Sequence, residues 1–240
     1  VLYQHDGQNI FTDRDAELPF GSWGVDDWVT RLYAAGLIGP VLVVGIDNSP
    51  ARRREYSPWT EEFARYEQFL HEELIPWVES RHPVVPGPRG RALMGSSMGG
   101  LVSFGLAANR PDVFGAAACL SPWFEYEDYY YIRTILRERL DRPNIRVYMD
   151  SGIRDWRGLD DGHRGMLMAR VELLRLGFVP GPELDVFVDT ETPSLAELES
   201  SPVRPDRYGE IGPNQHQEYQ WRRRLERPLR FLFGHGVGHR

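Results

Sequence analysis

The stretch GRALMGSSMGGLVSFGLA, residues 90–107, places Gly95-Ser96-Ser97-Met98-Gly99-Gly100 between a strand-like apolar run and a helix-like one. Glycine weakens both kinds of element. Its concentration at their junction therefore points to a turn so tight that side chains at its flanks would clash. Gly95 to Gly99 fits G-x-S-x-G, the pattern of a strand-to-helix elbow whose central serine stands exposed above the carboxyl end of a sheet. The pattern is short. The apolar strand before it and the helix after it give it weight. Ser97 is the candidate nucleophile, and Ser96, off-centre, is read as structural. The helix N-terminus beneath the serine offers positive potential to a developing oxyanion.

Working outward, the chain alternates strand and helix. Val1–Tyr3 reads as the end of a strand. Pro40–Ile46, Arg91–Met94, Val113–Leu120, Ile145–Asp150 and Leu184–Val188 read as further strands, the PVLVVGI run as one buried on both faces. Helical spacing covers Val25–Ala35, Thr60–Ser80 with a kink at Pro76, Leu101–Ala108, Tyr129–Leu140, Gly165–Leu176 and Glu218–Phe233. This order predicts an α/β fold, a mostly parallel sheet with helices on both faces, in a single domain over residues 1–240. One long stretch, 189–215, rich in Pro, Ser and Glu, reads as an irregular loop. It is either functional or a surface insertion.

Composition narrows the function. With 41% apolar and 12% aromatic residues among 240, the chain can bury one sizeable core. A net charge of −7 argues against a nucleic-acid partner. All 28 basic residues are Arg, which reads as a compositional bias rather than chemistry. A single cysteine, Cys119, excludes an internal disulfide and a cysteine-based zinc site. No apolar run reaches the roughly 18 residues of a membrane span. No signal peptide is visible, and compartment and oligomeric state stay open, as does whether strands precede residue 1.

A serine hydroxyl needs a base oriented by a carboxylate. Four histidines follow Ser97: His163, His216, His235 and His239. His216 lies after the last strand and long loop, directly before the final helix, where an α/β-hydrolase carries its base. His163 reads as a capping or surface residue, and His235 and His239 lie in a tail. For the acid, Asp150 and Asp155 flank one strand end. An acid belongs in the loop after the strand, which favours Asp155. Asp160 and Asp161 are outside possibilities for the acid, since a pair so near a helix start is more often a cap. The expected oxyanion donors are the backbone N–H groups of Met98 and of Gln8, with Gly7 letting the HDGQN loop turn inward.

Four stretches, YQHDGQNIF, GSSMGGL, SGIRDW and NQHQEYQWRRRLERPLRFLF, together resemble the "putative esterase" family of the α/β-hydrolase superfamily. That family holds esterase D, the enterobactin esterases, bacterial feruloyl esterases and the mycolyltransferases. VVGIDNSPARRREYSP resembles its strand and loop after the first helix. The last of the four stretches resembles the family's H-x-E-x-x-W ending, with His216, Glu218 and Trp221 in place. The resemblance implies a serine carboxylic ester hydrolase working through an acyl-enzyme on a Ser97–Asp155–His216 triad. It implies no metal or organic cofactor, and a small-molecule or carbohydrate-linked ester as substrate. Acyl transfer to a sugar or alcohol is the alternative, and a non-catalytic binding module on the same fold the third reading. The family's usual first strands are not in this sequence, and residues 189–215 are longer than the resemblance leads one to expect. Arg52, Arg53 and Arg54 suit an anionic ester or a solvated face. Trp23, Trp59, Trp123 and Trp156 suit a pocket wall or the core.

Overall fold

The computed structural model describes residues 1–16, 19–138, 141–155, 157–211 and 215–235. Trp156, His239, Leu140 and Pro213 lie outside the described residues. Among the described residues six strands form one sheet: β1 Leu2–His5, β2 Val43–Ile46, β3 Ala92–Ser96, β4 Ala116–Leu120, β5 Arg146–Ser151 and β6 Leu184–Val188. All pair in parallel, in the order β2-β1-β3-β4-β5-β6. The expected α/β architecture is present. β3, which leads into the elbow, lies in the interior of the sheet, so its carboxyl end opens into the middle of that edge.

The strand period of two divides the core into two layers. Tyr3 and Leu93 point to one face, where they join Phe63, Phe104 and Leu173. Leu2, Ala92 and Met94 point to the other, where they meet Trp23, Leu32, Trp221 and Leu229. The helix Met98–Asn109 begins three residues earlier than its apolar pattern suggests, right behind Ser97, and is buried along nearly its whole length. Being apolar on all sides, it has no solvent face to reveal its start.

Helix breaks follow proline chemistry. The expected Thr60–Ser80 helix runs Glu61–Phe69, then a π-helical turn Leu70–Leu74, then Ile75–Glu79. Ile75 N–H donates to Leu70 O. Pro76 has no N–H to give, and the wider turn absorbs it where a kink is expected. The expected final helix is two, Glu218–Arg224 and Glu226–Phe233, with Pro228 in the first turn of the second. The expected Tyr129–Leu140 helix also differs. Helical turns cover Tyr126–Tyr130 and Tyr131–Leu136, and Glu127, Asp128 and Tyr129 have left-handed φ.

Residues 189–215 are more ordered than their composition suggests. Ser194 and Glu197 form a capping box at the helix Leu195–Glu199, and a second short helix spans Tyr208–Ile211. Leu198, Val203 and Ile211 pack against Tyr219 of the first carboxyl-terminal helix. Among the described residues no helix is long and apolar enough to cross a membrane.

Candidate active site at the carboxyl edge of the sheet

Ser97 has φ 55° and ψ −122°, a conformation that side-chain-bearing residues rarely hold. Its surroundings fix it there. Its N–H donates to Leu120 O at 3.0 Å, and its carbonyl accepts from Gly100, Leu101 and Trp123 N–H at 3.0–3.1 Å. The elbow glycine has the steric reason inferred above: a Cβ on Gly95 would lie 2.6 Å from the backbone C and O of Gly99. Ser97 is half-buried, while Ser96 is buried at the end of β3.

Two cavities of about 580 and 600 Å³ meet at Ser97 and His216, which line both. A larger one of about 670 Å³ is lined by Ala92, Ala116 and Arg146 at the amino ends of β3, β4 and β5, remote from Ser97. Ligands of open α/β sheets bind at the carboxyl ends, which makes the two smaller cavities the candidate site.

His216 Nδ1 lies 2.6 Å from Asp161 Oδ1. The carboxylate at the imidazole is that of Asp161, and Asp155, the acid expected from the sequence, is engaged elsewhere. The physical reason is local. Asp155 Oδ1 accepts the N–H groups of Arg157 (2.8 Å) and Leu159 (3.0 Å), its Oδ2 takes the Arg157 Nε at 2.6 Å, and its own N–H donates to Leu159 O. Asp155 folds the loop on itself. Those bonds hold its carboxyl below the usual carboxylate range, against the opposing effect of burial. Asp160 does what the sequence suggests for the pair, accepting Arg164 N–H at the helix start. Asp161 faces inward instead. Its Oδ2 accepts the Ser121 hydroxyl and Gly152 N–H, each at 2.6 Å, and it is fully buried.

Several residues hold His216. The neighbouring Gln215 stitches its loop to the loop after β5, its side chain accepting from Ile153 N–H and donating to Asp189 O. Trp221 packs edge-on against the imidazole, with ring centres 5.2 Å apart, and donates its indole N–H to Ser121 Oγ at 3.1 Å. His163 Nδ1 lies 3.3 Å from Ser151 Oγ, and His235 is exposed near the end of the final helix.

Gln8 lies in a 3₁₀ turn, Gly7–Asn9, and lines the cavity with Ser97. The first N–H groups of such a turn, like that of Met98 at its helix start, have no partner within the helix. The turn abuts β2 so closely that a Cβ on Gly7 would come within 2.6 Å of the Gly45 and Ile46 backbone. Asp6, in left-handed conformation, anchors it. Its carboxylate accepts Arg52 through both Oδ atoms (2.7 and 2.6 Å) and the Asn48 amide at 2.6 Å. Arg52 is thereby committed to Asp6 rather than free for an anionic substrate, and Arg54 faces Glu62 at 3.5 Å. Trp23 and Trp123 line the cavities, whereas Trp59 stacks on Tyr126.

Glu218 also lines the Gln8 cavity. It is 3% exposed, and its Oε2 has no hydrogen-bond partner among the described residues. Burial pushes its carboxyl up to about 7, with Asp6 adding to the effect and Arg52 opposing it. An unfolded glutamate ionises near 4.5. Between these two values the native state keeps a proton that the unfolded state has lost, so stability falls as pH rises through this window. Glu218→Gln is expected to raise unfolding stability by about 1–3 kcal/mol at about pH 8 and to leave it unchanged near pH 4. Thermal unfolding at both pH values checks this, and equal effects at the two would refute it.

The model of the family described as "Putative esterase" matches residues 1–172. The uncharacterized protein YjcH of Bacillus subtilis (strain 168) is 29% identical over 129 residues, 53% of this chain and 52% of that protein. The enterobactin esterase FES from Shigella flexneri superposes with a TM-score of 0.69 at 17% identity, over 96% of this chain and 52% of that one. A ferulic acid esterase superposes with a TM-score of 0.65 at 17% identity, over 97% and 84%. The chain thus spans about half the length of YjcH and of the Shigella enzyme, and the two superpositions show the fold. With its matched region taking in β1 to β5, the elbow and Asp161, the chain belongs to the "Putative esterase" family.

Proposed function

We propose that the protein is a serine carboxylic ester hydrolase that works through an acyl-enzyme, with Ser97 as nucleophile, His216 as base and Asp161 as the acid that orients it. One observation carries the reading: a serine in a strained elbow shares its cavities with a histidine whose Nδ1 is bonded to a buried carboxylate. Ser97 Oγ attacks the ester carbonyl carbon and its proton passes to His216 Nε2. The Asp161 carboxylate offsets the charge of the imidazolium. The oxyanion accepts the N–H groups of Met98 and Gln8. Collapse breaks the bond to the alkoxide, which leaves with the proton from His216. Water then repeats the sequence on the acyl-enzyme, its proton going to His216, and releases the acid and free Ser97. The family and the esterase names of its structural neighbours support a small-molecule or carbohydrate-linked ester as substrate. Treatment of the pure protein with a fluorophosphonate, with peptide mapping, tests the reading. Stoichiometric label on Ser97 with loss of ester hydrolysis is expected, and failure to label would return the chain to a binding role.

The ordered insertion bounds the substrate. Glu210 lines the Gln8 cavity, and Leu198 and Val203 hold its helix against Tyr219. Replacing 194–207 by a short Gly-Ser link is expected to leave kcat/KM on an acetyl ester within about tenfold, because the triad is untouched. The ratio of kcat/KM between bulky and small esters should change by a larger factor. An unchanged ratio would make the segment a bystander.

A further inference from the structure

Behind Asp161, on the side away from the imidazole, lies a group that the mechanism above does not use. Arg224 is 4% exposed, and its guanidinium is buried between two carboxylates, Asp150 and Asp161, both wholly inside. Its NH2 stands 3.2 Å from Asp150 Oδ1 and 2.9 Å from Ser121 Oγ, and its NH1 4.0 Å from Asp161 Oδ2. Glu218, Trp221 and Arg224 recur every three residues along one helix, so all three reach the site from its buried face.

We infer that Arg224 is a positioning residue: with Trp221 it holds the Ser121 hydroxyl in place as a donor to Asp161 Oδ2, and so holds the Asp161 carboxylate with Oδ1 toward His216. The inference rests on the reading of Asp161 as the acid of the triad. A serine hydroxyl has one proton and two lone pairs. The Trp221 indole N–H (3.1 Å) and the Arg224 NH2 (2.9 Å) are donors only, and they occupy the lone pairs of Ser121. The single proton is left for Asp161 Oδ2, at 2.6 Å. Gly152 N–H fills the same oxygen. Asp161 Oδ1 then faces the imidazole, and Nδ1 must bring a proton to it. That leaves the lone pair on Nε2, the atom that has to accept the proton of Ser97. Ser121 itself is held at φ 41°, a strained value that keeps its side chain at this node.

Asp150 is the counter-charge that keeps Arg224 there. Its other oxygen accepts the Tyr148 hydroxyl at 3.1 Å. The groups facing Asp150 are Tyr148 on its own strand, Cys119 on β4, Asp161, Asp189 beyond β6, and Arg224. Burial pushes Asp150 up to about 6, and Arg224 opposes the rise. A buried guanidinium shared by two carboxylates is costly to assemble, and removing one partner leaves uncompensated charge. A purely structural arginine would do no more than neutralise Asp150.

The test separates the two roles. Arg224→Met and the double variant Arg224→Met/Asp150→Asn are assayed on a short-chain ester beside Asp150→Asn. Loss of positioning is expected to lower kcat by about 10²-fold with little change in KM, and to do so in the double variant as well. The acid limb of the kcat–pH profile should move to higher pH in both, with partial recovery in Arg224→Lys. If the single variant does not fold, the double variant, which restores the net charge of the Asp150–Arg224–Asp161 cluster, carries the result. A double variant as active as Asp150→Asn alone, with an unmoved pH limb, would overturn the inference. Asp161→Asn in the same assay separates failure of the underlying reading: full activity there would remove Asp161 from the triad, whatever Arg224 does.

Discussion

Ser97→Ala is expected to lower kcat on a short-chain ester by roughly 10⁴-fold or more while leaving the fold intact. That factor is about 5.4 kcal/mol of transition-state stabilisation. The residual rate would come from the oxyanion donors and from binding, neither of which the substitution touches. Alanine keeps the Cβ, so the backbone strain at φ 55° stays. Glycine would relieve it, because this region of backbone space is open to glycine. Ser97→Gly should therefore be equally inactive yet more stable than Ser97→Ala by about 1 kcal/mol, the strain released less the chain entropy that glycine adds. Steady-state kinetics and denaturant unfolding of the two variants measure both effects. Near-normal turnover in either would move the nucleophile elsewhere. Equal stability would mean that the elbow stores no strain. Ser96→Ala should be mild in both assays, since that side chain is buried in the strand end.

The sequence made the elbow and the strands legible because tight turns and apolar alternation are local properties. The G-x-S-x-G glycine answers to one backbone contact a few residues away, and PVLVVGI needs no partner to read as a buried strand. The helix breaks at Pro76 and before Pro228 were open to the same local logic, but the kind of break depends on whether the chain can widen a turn. The order within residues 189–215 was less visible. Its capping box, Ser194 with Glu197, is a readable signal, yet Leu198 and Val203 acquire a reason only from Tyr219, which lies beyond His216. The Asp6–Arg52 pair and the node at Ser121 join residues dozens of positions apart, and no spacing announces them.

The carboxylate bonded to His216 is not the one that position along the chain favours. Distance from the strand end favours Asp155, yet Asp155-Trp156-Arg157-Gly158 has the Asp-first, Gly-fourth signature of a β-turn. That signature counts against Asp155, since a carboxylate that accepts the N–H groups of its own turn is held close to that turn and away from a distant imidazole.

Asp161→Asn is accordingly expected to cost about 10⁴-fold in kcat, and Asp155→Asn less than about threefold. Asparagine has nearly the shape of aspartate, so donors and acceptors decide the effect. At Oδ2 the residue must meet two donors, Ser121 O–H and Gly152 N–H. Only the amide oxygen of asparagine can satisfy them. The NH₂ group is then turned toward His216 Nδ1, which must accept rather than donate. The imidazole proton moves to Nε2, and the atom that should take the proton of Ser97 has no free lone pair. The loss is thus larger than the loss of one charge would suggest. At position 155 the same exchange is benign. The asparagine oxygen still accepts the N–H groups of Arg157 and Leu159, and what disappears is an ion pair with a half-exposed arginine. Kinetics at saturating ester, with circular dichroism to confirm folding, decide between them. A crippled Asp155→Asn beside a normal Asp161→Asn would mean that the loop after β5 rearranges when substrate binds, bringing Asp155 to the imidazole in place of Asp161.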